Sequence, residues 1–110
     1  MTTDQTRAQQ IFGDFAPKLA ELSDEVLYGD IWERPGLSPR DRSLITVAAI
    51  VALYRTDQMP THIRRALANG VTPEELSEAF VHLAFYAGWP CGVNAVVAAR
   101  EIIEGSDGKE

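Results

Sequence analysis

Apolar residues recur along this 110-residue chain at helical rather than strand spacing. Ile11, Phe12, Phe15, Leu19 and Leu22 mark one stripe over residues 4–22, which Pro17 must bend or divide. A short helix is predicted over 24–31 from Asp24, with Val26, Leu27 and Ile31 inward. Ser38-Pro39-Arg40-Asp41 places a capping serine before a proline at the first helical position and an acid at the third. The helix it predicts runs to about Tyr54 and is apolar on nearly every side from Leu44 onward. Such a helix is expected to be buried all round, and in so short a chain that points to self-association. Thr56 or Asp57 is the expected cap of the next helix, which carries His62, Ile63, Ala66 and Leu67 and closes at Asn69-Gly70 in a left-handed cap. Thr72-Pro73-Glu74-Glu75 reads as a capping box. Its helix buries Leu76, Phe80, Leu83 and Ala84 or Ala87, and Gly88 ends it. Pro90 opens a last helix with Val93, Val96, Val97 and Ile102 or Ile103 as its apolar face, and residues 105–110 are expected to form a flexible tail. No period-2 alternation appears. The pattern predicts an all-α protein of about six helices in a single domain, residues 1–110.

Composition narrows the function. A hydrophobic fraction of 45% and a charged fraction of 24% are those of an ordinary globular domain. One cysteine, Cys91, leaves no intramolecular disulfide and no zinc site built on several thiolates. The polar N-terminus has no signal-peptide core, and the longest apolar run is far short of a bilayer span, so a cytoplasmic protein without membrane contact is expected. A net charge of −6 argues against nucleic acid as a partner. Charge is nevertheless uneven: residues 34–65 hold six arginines against two acids, a local +4. That segment either holds an anion or is a solvated helix face.

Three segments carry a resemblance: W-E-R-P-G-L-S-P-R-D-R-S-L from Trp32, H-I-R-R-A-L-A-N-G-V-T-P-E-E-L from His62, and Y-A-G-W-P from Tyr86. In this order and spacing they resemble the carboxymuconolactone decarboxylase family, a branch of the alkylhydroperoxidase D-like fold. The likeness is weak before Tyr28 and strong from Trp32 to Asn94. It implies an all-helical fold assembled into homotrimers or homohexamers, and cofactor-free decarboxylation of 4-carboxymuconolactone. The sister hydroperoxidases use a C-x-x-C pair, a histidine and a glutamate. In register with His62, this chain has Arg55 and Gln58 at the cysteine positions and Ser43 at the glutamate position. Thiol peroxidase chemistry needs an attacking and a resolving thiol, and neither is present there.

The implied reaction sets physical requirements. Loss of CO2 from the ring leaves an anion delocalised onto the lactone carbonyl oxygen. The site must therefore hold the remaining carboxylate, stabilise that oxygen and return a proton to carbon. Arginine suits the first task through its planar fork, positioned donors the second, and histidine the third. Arg34, Arg42 and His62 are the candidates, with Glu33 as a proton shuttle and Trp32 and Trp89 as walls for a small anionic acid or lactone. Each has a plainer alternative. His62 bonds a neighbouring carbonyl, Arg34 pairs with Glu33 or Asp30, Arg42 pairs with an interface acid, Glu33 is a loop acid, and the tryptophans pack. Glu78 and His82 are a surface pair rather than metal ligands, and no metal or cofactor is expected. Cys91 is a buried small hydrophobe, or the seat of a redox function. Asn94 is expected to bond backbone. A non-catalytic helical oligomer or acid-binding member of the family is the rival to the enzyme.

Overall fold

A computed structural model describes residues 5–108. Among them are six α-helices, a π-helical turn and a 3₁₀ turn, with no strand. Packing divides the chain into two compact units, Met1–Leu37 and Ser38–Glu110. No helix among the described residues is long and apolar enough to cross a membrane.

In the first unit, α1 spans Arg7–Phe12 and α2 spans Pro17–Leu22, so Pro17 divides the stripe and opens the second helix. Thr6 and Gln9 form a capping box on α1, each side chain accepting from the other's backbone N–H at 3.1 Å. A π-helical turn continues from α2 over Ser23–Leu27, and a 3₁₀ turn covers Ile31–Glu33. The stripe does not face inward as expected. Ala8 and Ala20 are buried, whereas Ile11, Phe15, Leu19, Leu22, Val26, Leu27 and Ile31 are exposed, Phe15 at 94%. So short a unit, made of helices under two turns long, has no second layer to close over large side chains.

Four longer helices make the second unit: α3 Pro39–Ala52, α4 Met59–Ala68, α5 Pro73–Tyr86 and α6 Trp89–Gly108. The core draws on all of them: Val47 and Val51, Met59 and Ile63, Leu76 and Phe80, and Cys91, Ala95 and Ala99. Helix starts and stops follow local chemistry. Ser38 Oγ accepts from the Asp41 N–H at 3.1 Å, and Thr72 and Glu75 bond reciprocally at 3.1 and 2.9 Å. Gly70, at φ 103°, closes α4 while Val71 N–H reaches back to the Ala66 carbonyl at 2.9 Å. Asn69 Nδ2 donates to Ser43 Oγ at 2.8 Å, which accounts for a serine buried in this core. That bond, with the short α3–α4 connection, shows the two helices antiparallel: the start of α3 lies beside the end of α4.

Four expectations are corrected here. Helix α3 is buried on one face only, through Ser43, Val47 and Val51, while Ile45 and Leu53 are exposed within the chain. Gln58, rather than Thr56 or Asp57, precedes α4, and its side chain makes no capping bond. Helix α6 continues through Gly105 to Gly108, past the expected start of the tail; residues 109–110 lie outside the described residues. The last correction is the most consequential. Helix α6 buries Cys91, Ala95 and Ala99 and leaves Val93, Val96 and Val97 exposed. Small residues decide this, because only a Gly–Ala face lets α6 approach α5 closely. A Cβ on Gly92 would stand 2.6 Å from the Ala84 Cβ and 2.9 Å from the Phe80 carbonyl oxygen.

Tyr54, just beyond α3, is the one non-glycine residue at positive φ among the described residues, at 61°. For an L-residue this costs about 1–2 kcal/mol. Its hydroxyl accepts from Asn94 Nδ2 at 3.0 Å, and the same amide donates to the Pro90 carbonyl at 2.9 Å. The expected backbone bond of Asn94 is therefore present, together with one to a side chain.

The Gly92 contact yields a direct expectation. Gly92→Ala should destabilise the protein by about 1–3 kcal/mol, the usual cost of overpacking, read as a lower urea midpoint. An unchanged midpoint would show that α6 can shift freely along α5.

Candidate functional site

His62 lies one turn into α4. The turn that leads there is closed by Gln58 and Met59 N–H groups donating to the Arg55 carbonyl at 3.0 and 3.1 Å, and His62 N–H donates to Gln58 O at 3.3 Å. The imidazole is half-buried, and its Nδ1 is shielded from solvent with no hydrogen-bond partner among the described residues. Leaving such a nitrogen unpaired costs about 1–3 kcal/mol. The alternative in which His62 serves a neighbouring carbonyl through that atom is thereby removed. Burial, and then the charge of Arg65 one turn on, lower the imidazole pKa from its ordinary value of 6.5. At neutral pH the ring is uncharged.

Arg42 lies in the first turns of α3 and is half-buried. Its neighbour Ser43 is bonded to Asn69, seven residues beyond His62. Along α4 that separates the Arg42 end of the helix pair from His62 by about 10 Å, at 1.5 Å per residue. The two residues are on adjacent helices at different levels of the pair. Tyr54 and Arg55, by contrast, stand at the His62 end.

The remaining candidates fall elsewhere. Trp32, Glu33 and Arg34 belong to the first unit. Trp32 stacks on Tyr28 at 6.0 Å, and Glu33 and Arg34 are exposed, Arg34 in the extended conformation that Pro35 imposes. Trp89 is 66% exposed and meets Phe85 edge-on at 6.3 Å. It lines an apolar groove of about 340 Å³ between α5 and α6, together with Phe80, Val81, Val93 and Val97. No charged residue lines that groove, and His62 is not part of it.

A second, charged cleft of about 630 Å³ lies where α3 meets α5, lined by Arg40, Glu75, Glu78 and His82. Arg40 bonds Asp41 at 2.9 Å and also Glu75. The Thr72 backbone N–H and then Arg40 hold the Glu75 carboxyl below its usual range. Glu78 and His82 do not form the expected pair; His82 stacks on Tyr86, with ring centroids 4.6 Å apart. Cys91 is buried, and its thiol faces the Ala87 carbonyl at 3.7 Å, as fits a small hydrophobe. Sequence reasoning did not single out Tyr54. Nothing in Leu53-Tyr54-Arg55 announces a left-handed residue, since that signal is ordinarily Gly or Asn.

The described residues place the chain in the class of small all-helical proteins, with a shielded imidazole nitrogen on α4. Within that class the chain belongs to the carboxymuconolactone decarboxylase family, whose model matches residues 17–101. It is 36% identical over 98 residues to 4-carboxymuconolactone decarboxylase of Acinetobacter baylyi, covering 89% of this chain and 73% of the relative. Over 83 residues it is 37% identical to nitrosuccinic acid decarboxylase of Metarhizium robertsii, covering 76% and 58%. An uncharacterized 15.0 kDa protein of Paracoccus denitrificans is 28% identical over 85 residues, covering 76% and 63%. The chain thus spans nearly three quarters of the first relative and about three fifths of the other two.

The depressed His62 pKa has a consequence for stability. Its contribution is full above about pH 6.5, the unfolded value, and is lost as pH falls towards the lower folded pKa. Between pH 6.5 and 5 the urea midpoint should therefore drop more for the native protein than for His62→Gln. Equal drops would mean that the imidazole is not desolvated.

Proposed function

We propose that the protein is a carboxy-lyase that removes CO2 from a small carboxylated lactone such as 4-carboxymuconolactone, without a cofactor. One observation carries this reading: in a chain of the decarboxylase family, a shielded histidine nitrogen is left without a partner on α4. Buried polar atoms are almost always satisfied, and an unsatisfied one marks a position completed by something else. Both decarboxylase-named relatives point to an acid as that partner.

The chemistry needs no cofactor because the substrate contains its own electron sink. In a carboxylated lactone the carbonyl conjugated to the ring takes up the electron pair left by CO2; in nitrosuccinic acid a nitro group is placed to do the same. The residues then have two duties. Arg42 holds the carboxylate that stays, in the positive field of the arginine-rich segment. His62 delivers the proton to carbon. Because His62 is neutral at rest, its proton must be loaded when substrate binds; a bound anion beside the ring raises its pKa and does so. Peroxide reduction is not part of this reading, because the chain has one cysteine and it is buried.

The same reading has the protein working in the cytoplasm as a homotrimer or homohexamer. Support comes from the apolar surface that one chain leaves open, with Phe85, Trp89, Val93, Val96 and Val97 all exposed.

Loss of ultraviolet absorbance from 4-carboxymuconolactone tests the activity. His62→Ala should lower kcat by about 10²–10⁴-fold with the assembly intact, and unchanged turnover would remove His62 from the mechanism. Arg42→Ala should act mainly by raising KM; a loss confined to kcat would contradict anchoring.

The pH dependence follows from the same shift. With His62 acting as an acid, kcat/KM is greatest at low pH and falls as pH rises through the free-enzyme pKa, which lies below 6.5. The kcat profile should persist to higher pH, since bound substrate raises that pKa. A kcat/KM that instead rises through this range would make His62 a base.

A further inference from the structure

The chain turns through positive φ at three places in the second unit, and at two of them it uses glycine: Gly70 after α4 and Gly88 after α5. After α3 it uses Tyr54. Glycine would make that turn without strain. Burial does not explain the tyrosine, because half of it is exposed and none of the aromatic pairs among the described residues includes it. What the side chain does make is one hydrogen bond. Asn94, itself anchored on the Pro90 carbonyl, donates to the Tyr54 hydroxyl oxygen at 3.0 Å. The phenol's own proton is thereby turned away from Asn94, and no acceptor receives it among the described residues. A strained residue whose half-exposed hydroxyl is oriented by a neighbouring amide is suited to a ligand contact.

Position supplies the rest. A site organised around His62 needs a donor close to the imidazole for the oxygen on which charge gathers as CO2 leaves. Arg42 is at the other end of the α3–α4 pair, beside the Ser43–Asn69 bond. Tyr54 is at the His62 end, in the loop that leads directly into α4. We propose that Tyr54 is a substrate-binding residue whose hydroxyl donates to that oxygen, and that Asn94 is its positioning residue.

In the step itself the bond between ring carbon and carboxylate breaks, and its electron pair passes through the ring to the carbonyl oxygen. CO2 leaves, Tyr54 keeps its proton while bonding the oxyanion, and the proton from His62 ends on carbon. The assignment rests on the decarboxylase reading, which it deepens by naming the donor for the oxygen on which charge gathers.

Tyr54→Phe keeps the ring and removes only the hydroxyl. On 4-carboxymuconolactone it should lower kcat by about tenfold or more, with the urea midpoint little changed. Asn94→Ala should lower kcat similarly, and the double variant should be no worse than the more impaired single variant, because both act through one hydroxyl. Turnover by Tyr54→Phe within twofold of the native protein overturns the assignment and leaves the decarboxylase reading standing. Additive losses in the double variant overturn the positioning role of Asn94. If the native protein does not turn the lactone over, calorimetric binding of the same compound decides. About tenfold weaker binding by Tyr54→Phe retains Tyr54 as the ligand contact and discards the reaction, whereas equal or absent binding overturns the contact as well.

Discussion

The close approach of α5 and α6 at Gly92 is the constraint on which the second unit depends. The space between the Ala84 side chain and the Phe80 carbonyl admits a hydrogen atom and not a methyl group. Once that contact is made, the rotation of α6 is fixed. Its narrow face of Cys91, Ala95 and Ala99 turns inward, and its larger valines turn outward. The same rotation sets Asn94 where it reaches Tyr54, and it opens the apolar groove that Phe85 and Trp89 border. A packing contact between two small residues thus determines both an uncovered surface and the orientation of a polar side chain.

The α3–α4 pair imposes the second constraint. Its antiparallel arrangement is pinned at one end by Asn69 on Ser43 and closed at the other by the loop through Tyr54. Arg42 and His62 therefore sit at different levels of the helix pair, about two turns apart along α4. On the proposed reaction this separation is useful. A cation touching the imidazole would suppress its protonation further, whereas one two turns away can attract an anionic substrate while leaving the ring free to take up a proton. Burial, and then Arg65 one turn from His62, already lower the ring's pKa.

The Nδ1 of His62, shielded and without a partner among the described residues, is unfavourable in the chain by itself. On the proposed reaction, a bound acid would supply that partner. Stability given up at such atoms is characteristic of functional positions, where local rules of folding are broken for a reason.

Much of the architecture was legible in the residues themselves. Ser38-Pro39, Asn69-Gly70, the Thr72–Glu75 box and Gly88 set helix boundaries because capping is local chemistry, decided within four or five residues. His62 and the arginine-rich segment were visible for the same reason, as residue types in a pattern, and family membership followed from motifs in order. The sequence could not decide which face of an apolar helix turns inward. Helix α3 reads as apolar all round and α6 presents a conspicuous valine stripe, yet the choice depends on how closely a neighbouring helix can approach, a property of two segments together. The left-handed Tyr54 and the distance between Arg42 and His62 were equally hidden, since both arise only when α3, α4 and α6 are assembled. Local chemistry determined where the elements begin and end; tertiary packing determined what they present to a substrate.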